Sequence, residues 1–257
     1  MGISVGQIRY NVFQINETEG NDLNVDCYLV KGEDKAVLID TLQDTDQLYE
    51  TVRKLSDLPL EVIITHGHPD HAGHSIRQFH EAGVPVYMHE ADIDLYCNLF
   101  SGEYPREWFT PLDDEQIFDL GNLTLRIILL AGHTPGSVVV LDEKNGCLYS
   151  GDAVGSGHFW MQIPGCIPLH EFRDNLKLFI EKTSFVKNLK IYPGHRYQSP
   201  VQLNRQYLFD TLTLSEKILD HSDQGNDQTM MFDGEIIHFR ECAYGMMLGY
   251  CYNPENL

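Results

Sequence analysis

The sequence predicts a single domain over residues 1–257 in which β-sheets pack against helices, an α+β fold. Strand patterns alternate with amphipathic helical patterns along the chain, and no linker or short repeat divides it. A length of 257 residues is within the range of one sheet-rich layered domain, and a hydrophobic content of 42% supplies a packed core. We therefore expect one ordered globular unit.

The first half of the chain has the pattern of a hairpin followed by strand–helix units. Gly32-Glu33-Asp34 separates the first two apolar runs, and Asp44 or Thr45 can cap the helix that follows, which stops near Pro59. The predicted elements around them are strands 26–30, 35–39 and 61–65 and a second helix, 72–81. Loops at the C-terminal ends of such strands are where open α/β sheets bind ligands.

The second half repeats the strand-rich pattern and then becomes helical. The predicted elements are strands 123–130, 138–142 and 147–150, helices 169–182 and 201–219, and a closing strand pair within 235–252. For residues 200–257 the sequence leaves two interpretations open. They form either a lid or the contact of a homodimer.

The charge balance argues against several classes of partner. The chain has 18 basic and 38 acidic residues, a formal net charge of -20, which repels phosphate backbones and anionic membranes. We therefore expect a small-molecule substrate, with no nucleic acid and no membrane as partner. The opening MGISVGQIRY lacks the pattern of a secretory signal, and the six cysteines form no Cys-x-x-Cys pair, so we expect a cytoplasmic protein with reduced thiols.

The strongest functional signal is the hexapeptide HGHPDH at residues 66–71, an HxHxDH motif. Alternate positions of an extended loop, His66 and His68, point to one side and can share one ion. Asp70 and His71, at the turn into the next helix, can face a second ion. Imidazole nitrogen and carboxylate oxygen suit zinc, with iron or manganese as alternatives.

Three later residues lie in tight turns that follow predicted strands. His133 lies in Gly-His-Thr-Pro-Gly, Asp152 in Ser-Gly-Asp-Ala, and His195 in Tyr-Pro-Gly-His. Turns of this kind hold a side chain at the end of a strand. Side chains that are far apart in the sequence can then meet at one site. We therefore expect these three side chains to join the motif in one site.

This ordered set of motifs resembles the metallo-β-lactamase superfamily, from Asp40-Thr41 to the Pro-Gly-His195 turn. The resemblance implies a four-layer αββα sandwich of two mixed β-sheets flanked by helices. It also implies a centre of two divalent metal ions, most often zinc, with Asp40 orienting a ligand histidine. The implied ligands are His66, His68 and His133 on one ion, Asp70, His71 and His195 on the other, and Asp152 bridging both.

The bridging aspartate favours branches similar to glyoxalase II and the acyl-homoserine lactonases over the zinc β-lactamases. The implied reaction is hydrolysis of a small ester, thioester or lactone by a metal-bridging hydroxide, with Asp70 as the catalytic residue that accepts or passes on the proton. The alternatives are a small-molecule phosphoesterase, a single-iron enzyme similar to persulfide dioxygenases, and a metal-binding protein without catalysis.

The chain departs from these families at three places. Leu42 stands where the family's Asp-Thr-Gly has glycine, and Gly155 stands where the lactonase-like pattern has tyrosine. Arg205, Lys217 and Arg240 are dispersed and do not form the basic cluster expected of a glutathione site. The resemblance therefore leaves the substrate itself open.

The Gly-rich segment after Asp152 is the candidate for substrate contacts. Loops that flank ligand-bearing strands are where pockets form, and this one carries aromatic and imidazole side chains. The residues predicted to line a substrate pocket are His158, Phe159 and Trp160.

Overall fold

The protein is described by a computed structural model that covers residues 2–17, 24–199 and 201–257. The helices are α1 (Leu48–Leu55), α2 (Ile76–Glu81), α3 (Glu90–Leu99), α4 (Leu169–Lys182) and α5 (Arg205–Leu219). Within the described ranges, no helix combines the length and the apolar character that a membrane span needs.

The first sheet has seven strands in chain order. They are β1 (Ile3–Arg9), β2 (Val12–Glu17), β3 (Asp26–Lys31), β4 (Ala36–Ile39), β5 (Leu60–Ile63), β6 (Val86–His89) and β7 (Phe109–Leu112). The pairs from β1 to β4 are antiparallel, and those from β4 to β7 are parallel. The parallel part requires crossovers, which α1, α2 and α3 supply.

The second sheet has six strands in the order β14-β13-β11-β10-β9-β8, and only β11 and β13 pair in parallel. The strands are β8 (Ile117–Asp119), β9 (Thr124–Leu129), β10 (Val138–Asp142), β11 (Cys147–Gly151), β13 (Lys190–Pro193) and β14 (Leu203–Asn204).

A third, four-stranded sheet lies beside these two, in the order β12-β17-β16-β15. Its strands are β12 (His158–Met161), β15 (Asn226–Phe232), β16 (Glu235–Tyr244) and β17 (Met247–Tyr252). Strands β15 and β16 form a hairpin, and β12 pairs in parallel with β17.

The two large sheets pack face to face, and helices cover their outer faces. Strand β3 shows why: Cys27 and Leu29 pack towards the helices α1 to α3, whereas Tyr28 and Val30 pack between the sheets. Because successive side chains of a strand point to opposite faces, burial on both sides requires a run of consecutive apolar residues, here Cys27 to Val30. Helices α4 and α5 cover the second sheet in the same way. The predicted four-layer αββα sandwich is confirmed.

Several predicted elements have different boundaries in the structure. Helix α1 begins at Leu48 with Gln47 at its N-cap position. Asp44 does not cap it, and Thr45 Oγ1 accepts the Gln47 N–H at 3.3 Å just before the helix begins. The predicted helix 72–81 is reduced to α2, because the backbone before it bonds elsewhere: the Gly73 N–H donates to the carbonyl oxygen of Leu42 at 3.1 Å.

Near the C-terminus, the predicted helix 201–219 begins only at Arg205. Residues 203–204 instead pair with β13 as β14, and the Asn204 side chain accepts a hydrogen bond from the Gln206 N–H at 2.8 Å as a helix cap. The predicted closing strand pair is part of the third sheet, which also contains β12 and β15.

Burial on both faces of β4 gives a stability prediction. Leu38→Ala and Ile39→Ala should each lower the free energy of unfolding by about 2–5 kcal/mol, because each leaves a cavity in a different core. Leu38 is 0% exposed on the helix side and Ile39 is 1% exposed between the sheets, whereas the control residue Leu178 is 63% exposed.

Urea unfolding followed by circular dichroism measures these values. Leu178→Ala should change the free energy of unfolding by no more than about 0.5 kcal/mol. If one of the two β4 variants lost much less free energy of unfolding than the other, burial of β4 on both faces would be contradicted.

Candidate metal centre

The predicted site residues meet at one edge of the sandwich, where strands of both large sheets end. The HGHPDH loop follows β5, His133 lies between β9 and β10, Asp152 follows β11, and His195 follows β13. A backbone hydrogen bond from the Val138 N–H to the Thr65 carbonyl oxygen, 2.8 Å long, ties the two sheets together at this edge. All seven predicted ligands lie in this one region.

His66, His68 and His133 form the first group of donor atoms, all within 4.8 Å of one another. His133 Nε2 lies 2.9 Å from His68 Nδ1, and the Nδ1–H of His133 donates to the Trp160 carbonyl oxygen at 2.7 Å. That bond fixes the ring so that Nε2 faces the group. This is the trio that the sequence assigned to one ion.

A second group of donor atoms, again all within 4.8 Å of one another, is formed by Asp70, His71 and His195. Asp70 Oδ2 lies 3.3 Å from His195 Nε2 and 3.8 Å from His71 Nε2. This trio is the one that the sequence assigned to the other ion.

Asp152 lies between the two groups. Its Oδ2 is 3.3 Å from His195 Nε2 and 3.9 Å from His133 Nε2, and its Oδ1 is 3.6 Å from His71 Nε2. One carboxylate thus approaches imidazoles of both trios. This is the position that a bridging ligand needs.

The buried carboxylate of Asp40 orients the histidines from behind. Its Oδ2 accepts hydrogen bonds from His71 Nδ1–H and from Thr65 Oγ1–H, each 2.9 Å long, and its Oδ1 accepts the Thr65 N–H at 2.7 Å. Because the Thr65 hydroxyl proton is directed to Asp40, its oxygen can only accept from His66 Nδ1, 3.1 Å away. Asp40 therefore sets the tautomers of His66 and His71, leaving both Nε2 atoms directed inward.

Asp92, which the sequence analysis missed, joins two ligand loops. It lies in the first turn of α3 and is 0% exposed. Its Oδ2 accepts the Gly67 N–H at 2.8 Å and the Thr134 hydroxyl at 2.6 Å, and its Oδ1 accepts the Gly136 N–H at 2.7 Å. The spacing of His68 and His133 depends on this carboxylate.

Asp26 fixes the turn that carries His195 and was also missed. Its backbone N–H donates to the Gly194 carbonyl oxygen at 2.7 Å, and its side chain accepts the Arg196 N–H at 2.8 Å. A Cβ atom on Gly194 would lie 2.1 Å from His71 Cε1, so only glycine permits this approach. For Asp26, the available signal was an acidic residue next to an apolar run, whereas Asp92 has Glu90 and Asp94 beside it and gave no such signal.

Two histidines of each trio have shifted pKa values, and the shifts have opposite directions. Burial and the neighbouring imidazoles lower the pKa of His66 well below its usual value and that of His68 to about 3. Burial alone would lower the pKa of His71, but Asp152 and Asp70 raise it to about 10. The same carboxylates raise the pKa of His195 despite its burial. At neutral pH His66 and His68 are therefore neutral, whereas His71 and His195 must release protons before they can bind a cation.

The donor atoms fit divalent metal ions. His66 Nε2 and His71 Nε2 are buried and have no hydrogen-bond partner among the described residues, although buried polar atoms normally have one. Both point into the space between the trios. Imidazole nitrogens and carboxylate oxygens in groups of three or four are zinc-type ligands. Their role as ligands remains a prediction.

A cavity of about 850 Å³ opens above these groups. Asp70, Asp152 and three of the ligand histidines form its floor, and His158 and Trp160 line it. Phe159 does not: it is 1% exposed, and its ring packs against Phe172 and Tyr250. Because side chains alternate along β12, Phe159 points into the core, and the expectation that all three residues line the cavity is corrected for it.

Leu42 adopts the left-handed backbone conformation, with φ of 62°, and is fully buried. Glycine, the family's residue at this position, adopts that conformation without strain. The turn after Asp40 thus keeps the glycine-type backbone in spite of the substitution, and Leu42 adds apolar contacts beneath α1 and α2.

The chain belongs to the metallo-beta-lactamase superfamily, whose family model matches residues 20–195. Among solved structures, a metallo-beta-lactamase from Pontibacter korlensis has a TM-score of 0.69 at 21% identity, covering 84% of this chain and 99% of that one. At this identity the likeness shows the fold alone.

Some of the curated relatives carry names of hydrolases. The probable polyketide biosynthesis zinc-dependent hydrolase BaeB of Bacillus velezensis is 25% identical over 177 residues, 66% of this chain and 72% of that protein. The hydroxyacylglutathione hydrolase GloC of Haemophilus influenzae is 28% identical over 145 residues, 51% of this chain and 67% of that protein. This chain is thus similar to metal-dependent hydrolases.

The role of Asp40 gives a prediction about metal affinity. Asp40→Asn should weaken zinc binding by about 10- to 100-fold, the usual effect of losing a partner behind a ligand histidine. The new amide group can donate to His71 Nδ1, which would move the ring proton to Nε2 and block that donor atom. Titration of the protein with zinc against a competing chelator measures the change.

Asp142→Asn is the matched control. Asp142 is also 0% exposed, but it accepts hydrogen bonds from the Asn145 N–H and side chain, at 3.0 and 2.7 Å, within its own turn. Equal losses of zinc affinity in the two variants would show that any buried aspartate matters, and would contradict the specific role of Asp40.

Proposed function

We propose that this chain is a binuclear metal-dependent hydrolase of a small ester, thioester or lactone. The observation that carries the proposal is the position of Asp152 between two trios of donor atoms, with one carboxylate within 4 Å of imidazoles in both. Residues that hold two cations side by side on the floor of a cavity provide what carbonyl hydrolysis requires.

Bound divalent cations would lower the pKa of a water molecule and polarise a carbonyl oxygen, which makes hydrolysis feasible at neutral pH without a serine or cysteine nucleophile. The side chains have separate tasks around that chemistry. Asp40, Thr65 and the Trp160 carbonyl oxygen hold the imidazoles in the productive tautomer. Asp70 lines the cavity, and the oxygen of its carboxylate that does not hold a cation would accept a proton and pass it on.

The relatives support the choice of an ester or thioester substrate. One is named as a hydroxyacylglutathione hydrolase, an enzyme that cleaves a thioester, and another as a zinc-dependent hydrolase. The cavity of about 850 Å³ has the size of a small-molecule site. These points favour a small substrate with a reactive carbonyl group.

Metal analysis together with hydrolysis assays tests the proposal. We expect about two equivalents of divalent metal per chain, as in other binuclear sites, and turnover of one class of ester, thioester or lactone. Turnover should stop on chelation and return when metal is added back. The panel also contains phosphodiesters, β-lactams and a persulfide. Protein without metal, a phosphodiester as the best substrate, or one iron with oxygen consumption on the persulfide would contradict the proposal.

Asp152→Asn tests the bridging role. The amide cannot supply negative charge to two cations, so metal content should fall below that of the unchanged protein. Activity should fall by more than the roughly 10- to 100-fold that loss of an outer partner costs. Metal content is read by elemental analysis of the same sample, with Asp142→Asn as control. Full metal content and full activity in Asp152→Asn would rule out a bridge.

A further inference from the structure

The hairpin β15–β16 forms one wall of the cavity above the metal centre. Met230, Phe232 and Ile237 line the cavity from this hairpin, and Met230 pairs directly across from Ile237. Met230 is also anchored to the loop after β12, because Gln162 Nε2 lies 3.5 Å from its sulfur atom. The wall therefore has a defined position against the rest of the molecule.

Apolar side chains dominate the part of the cavity away from the metal centre. Leu95 and Leu99 of α3 and Trp160 and Ile163 of the segment after Asp152 line it together with the hairpin. An apolar surface of this kind gains free energy by removing a hydrocarbon chain from water. It offers little to a polar group.

The charged groups that line the cavity beyond the metal centre are acidic. Asp233 and Glu235 lie at the tip of the hairpin, and none of the described residues that line the cavity is a lysine or an arginine. The chain as a whole has a net charge of -20. If a substrate carried a negative charge away from its reacting carbonyl, that charge would be repelled by the acidic side chains of the cavity. No lysine or arginine of the lining would compensate it.

The hairpin lies outside the part of the chain that the family model matches, which ends at residue 195. The wall is thus formed by a segment that follows the family-wide core. A segment placed in this way can determine which substrates enter while the metal centre is unchanged.

From these features we infer that the hairpin β15–β16 selects a substrate with an apolar acyl chain and no negative charge remote from the reacting carbonyl. This inference rests on the proposed hydrolase function, whose substrate class it narrows. Neutral and cationic esters or thioesters fit the cavity, whereas thioesters of anionic thiols do not.

Binding to the metal-free protein tests the wall without catalysis. The chain has two tryptophans, and Trp108 stacks on His80 outside the cavity, so the variant Trp108→Phe leaves Trp160 as the reporter. The probes are the hexyl thioethers of thiocholine, 2-mercaptoethanol and glutathione, which are cationic, neutral and anionic and cannot be hydrolysed. We expect the first two to bind at least about fivefold more tightly than the third at low salt, with a smaller difference at high salt.

The length of the apolar chain gives a second binding result. A hexyl probe should bind at least about tenfold more tightly than the ethyl probe of the same thiol, because each buried methylene contributes up to about fourfold. Equal binding of ethyl and hexyl probes, or preference for the glutathione probe, would overturn the inference.

Neighbouring isoleucines provide the matched variants. Ile237 lines the cavity, whereas Ile236 points to the other face of β16 and is 64% exposed. Ile237→Thr keeps a β-branched residue but adds a hydroxyl group, so it should reduce the preference for hexyl over ethyl by about threefold or more. Ile236→Thr should leave that preference unchanged. Equal effects of the two substitutions would overturn the role of the hairpin wall.

Turnover by the metal-loaded protein separates this inference from the proposed function. Hexanoyl thioesters of the same three thiols are compared by kcat/KM. Preference for the thiocholine or mercaptoethanol thioester supports both proposals. Turnover that favours the glutathione thioester overturns the inference but leaves the hydrolase function standing. Absence of turnover for every ester, thioester and lactone in the presence of bound metal overturns the proposed function.

Discussion

The hydrogen bonds of the Asp40 carboxylate are the interaction on which the rest of the site depends. Asp40 follows β4, Thr65 follows β5, and His71 is the last residue of the HGHPDH loop, so one buried side chain connects two parallel strands to the predicted ligands. Burial strengthens these bonds because little water competes for them, and it makes an unpaired group costly. The positions of the predicted ligands are thus set by the hydrogen bonds behind them.

The sequence predicted the layers, and it predicted which side chains come together at the site, because side-chain type and apolar runs are encoded locally. Ligand chemistry is a property of side-chain type, and strands buried on both faces, such as β3, must contain continuous apolar runs. Asp92 could not be found in this way, since its partners lie at residues 67, 134 and 136, far from it in the sequence. Long-range partners of a buried carboxylate are set by the tertiary fold.

A helix boundary was wrong and a strand was missed, for different physical reasons. The amphipathic pattern of residues 72–81 is real, but the backbone around Gly73 bonds to the turn at Leu42, and tertiary contacts override the helical tendency. Strand β15 was missed because its first four residues, Asn-Asp-Gln-Thr, are polar and exposed. A strand at the edge of a solvent-exposed sheet carries little hydrophobic signal.

The parallel pairing of β12 with β17 connects the end of the chain to the ligands. Strand β12 supplies the Trp160 carbonyl oxygen that orients His133, and its neighbour β17 pairs antiparallel with the hairpin strand β16. The tip of the hairpin takes part in none of the hydrogen bonds described above that orient the predicted ligands. Its sequence can therefore change without moving the metal centre. Insertions or deletions nearer to β17 would shift β12 and the imidazole with it. Drift in specificity should thus concentrate at the hairpin tip, with the strands at its base kept in register.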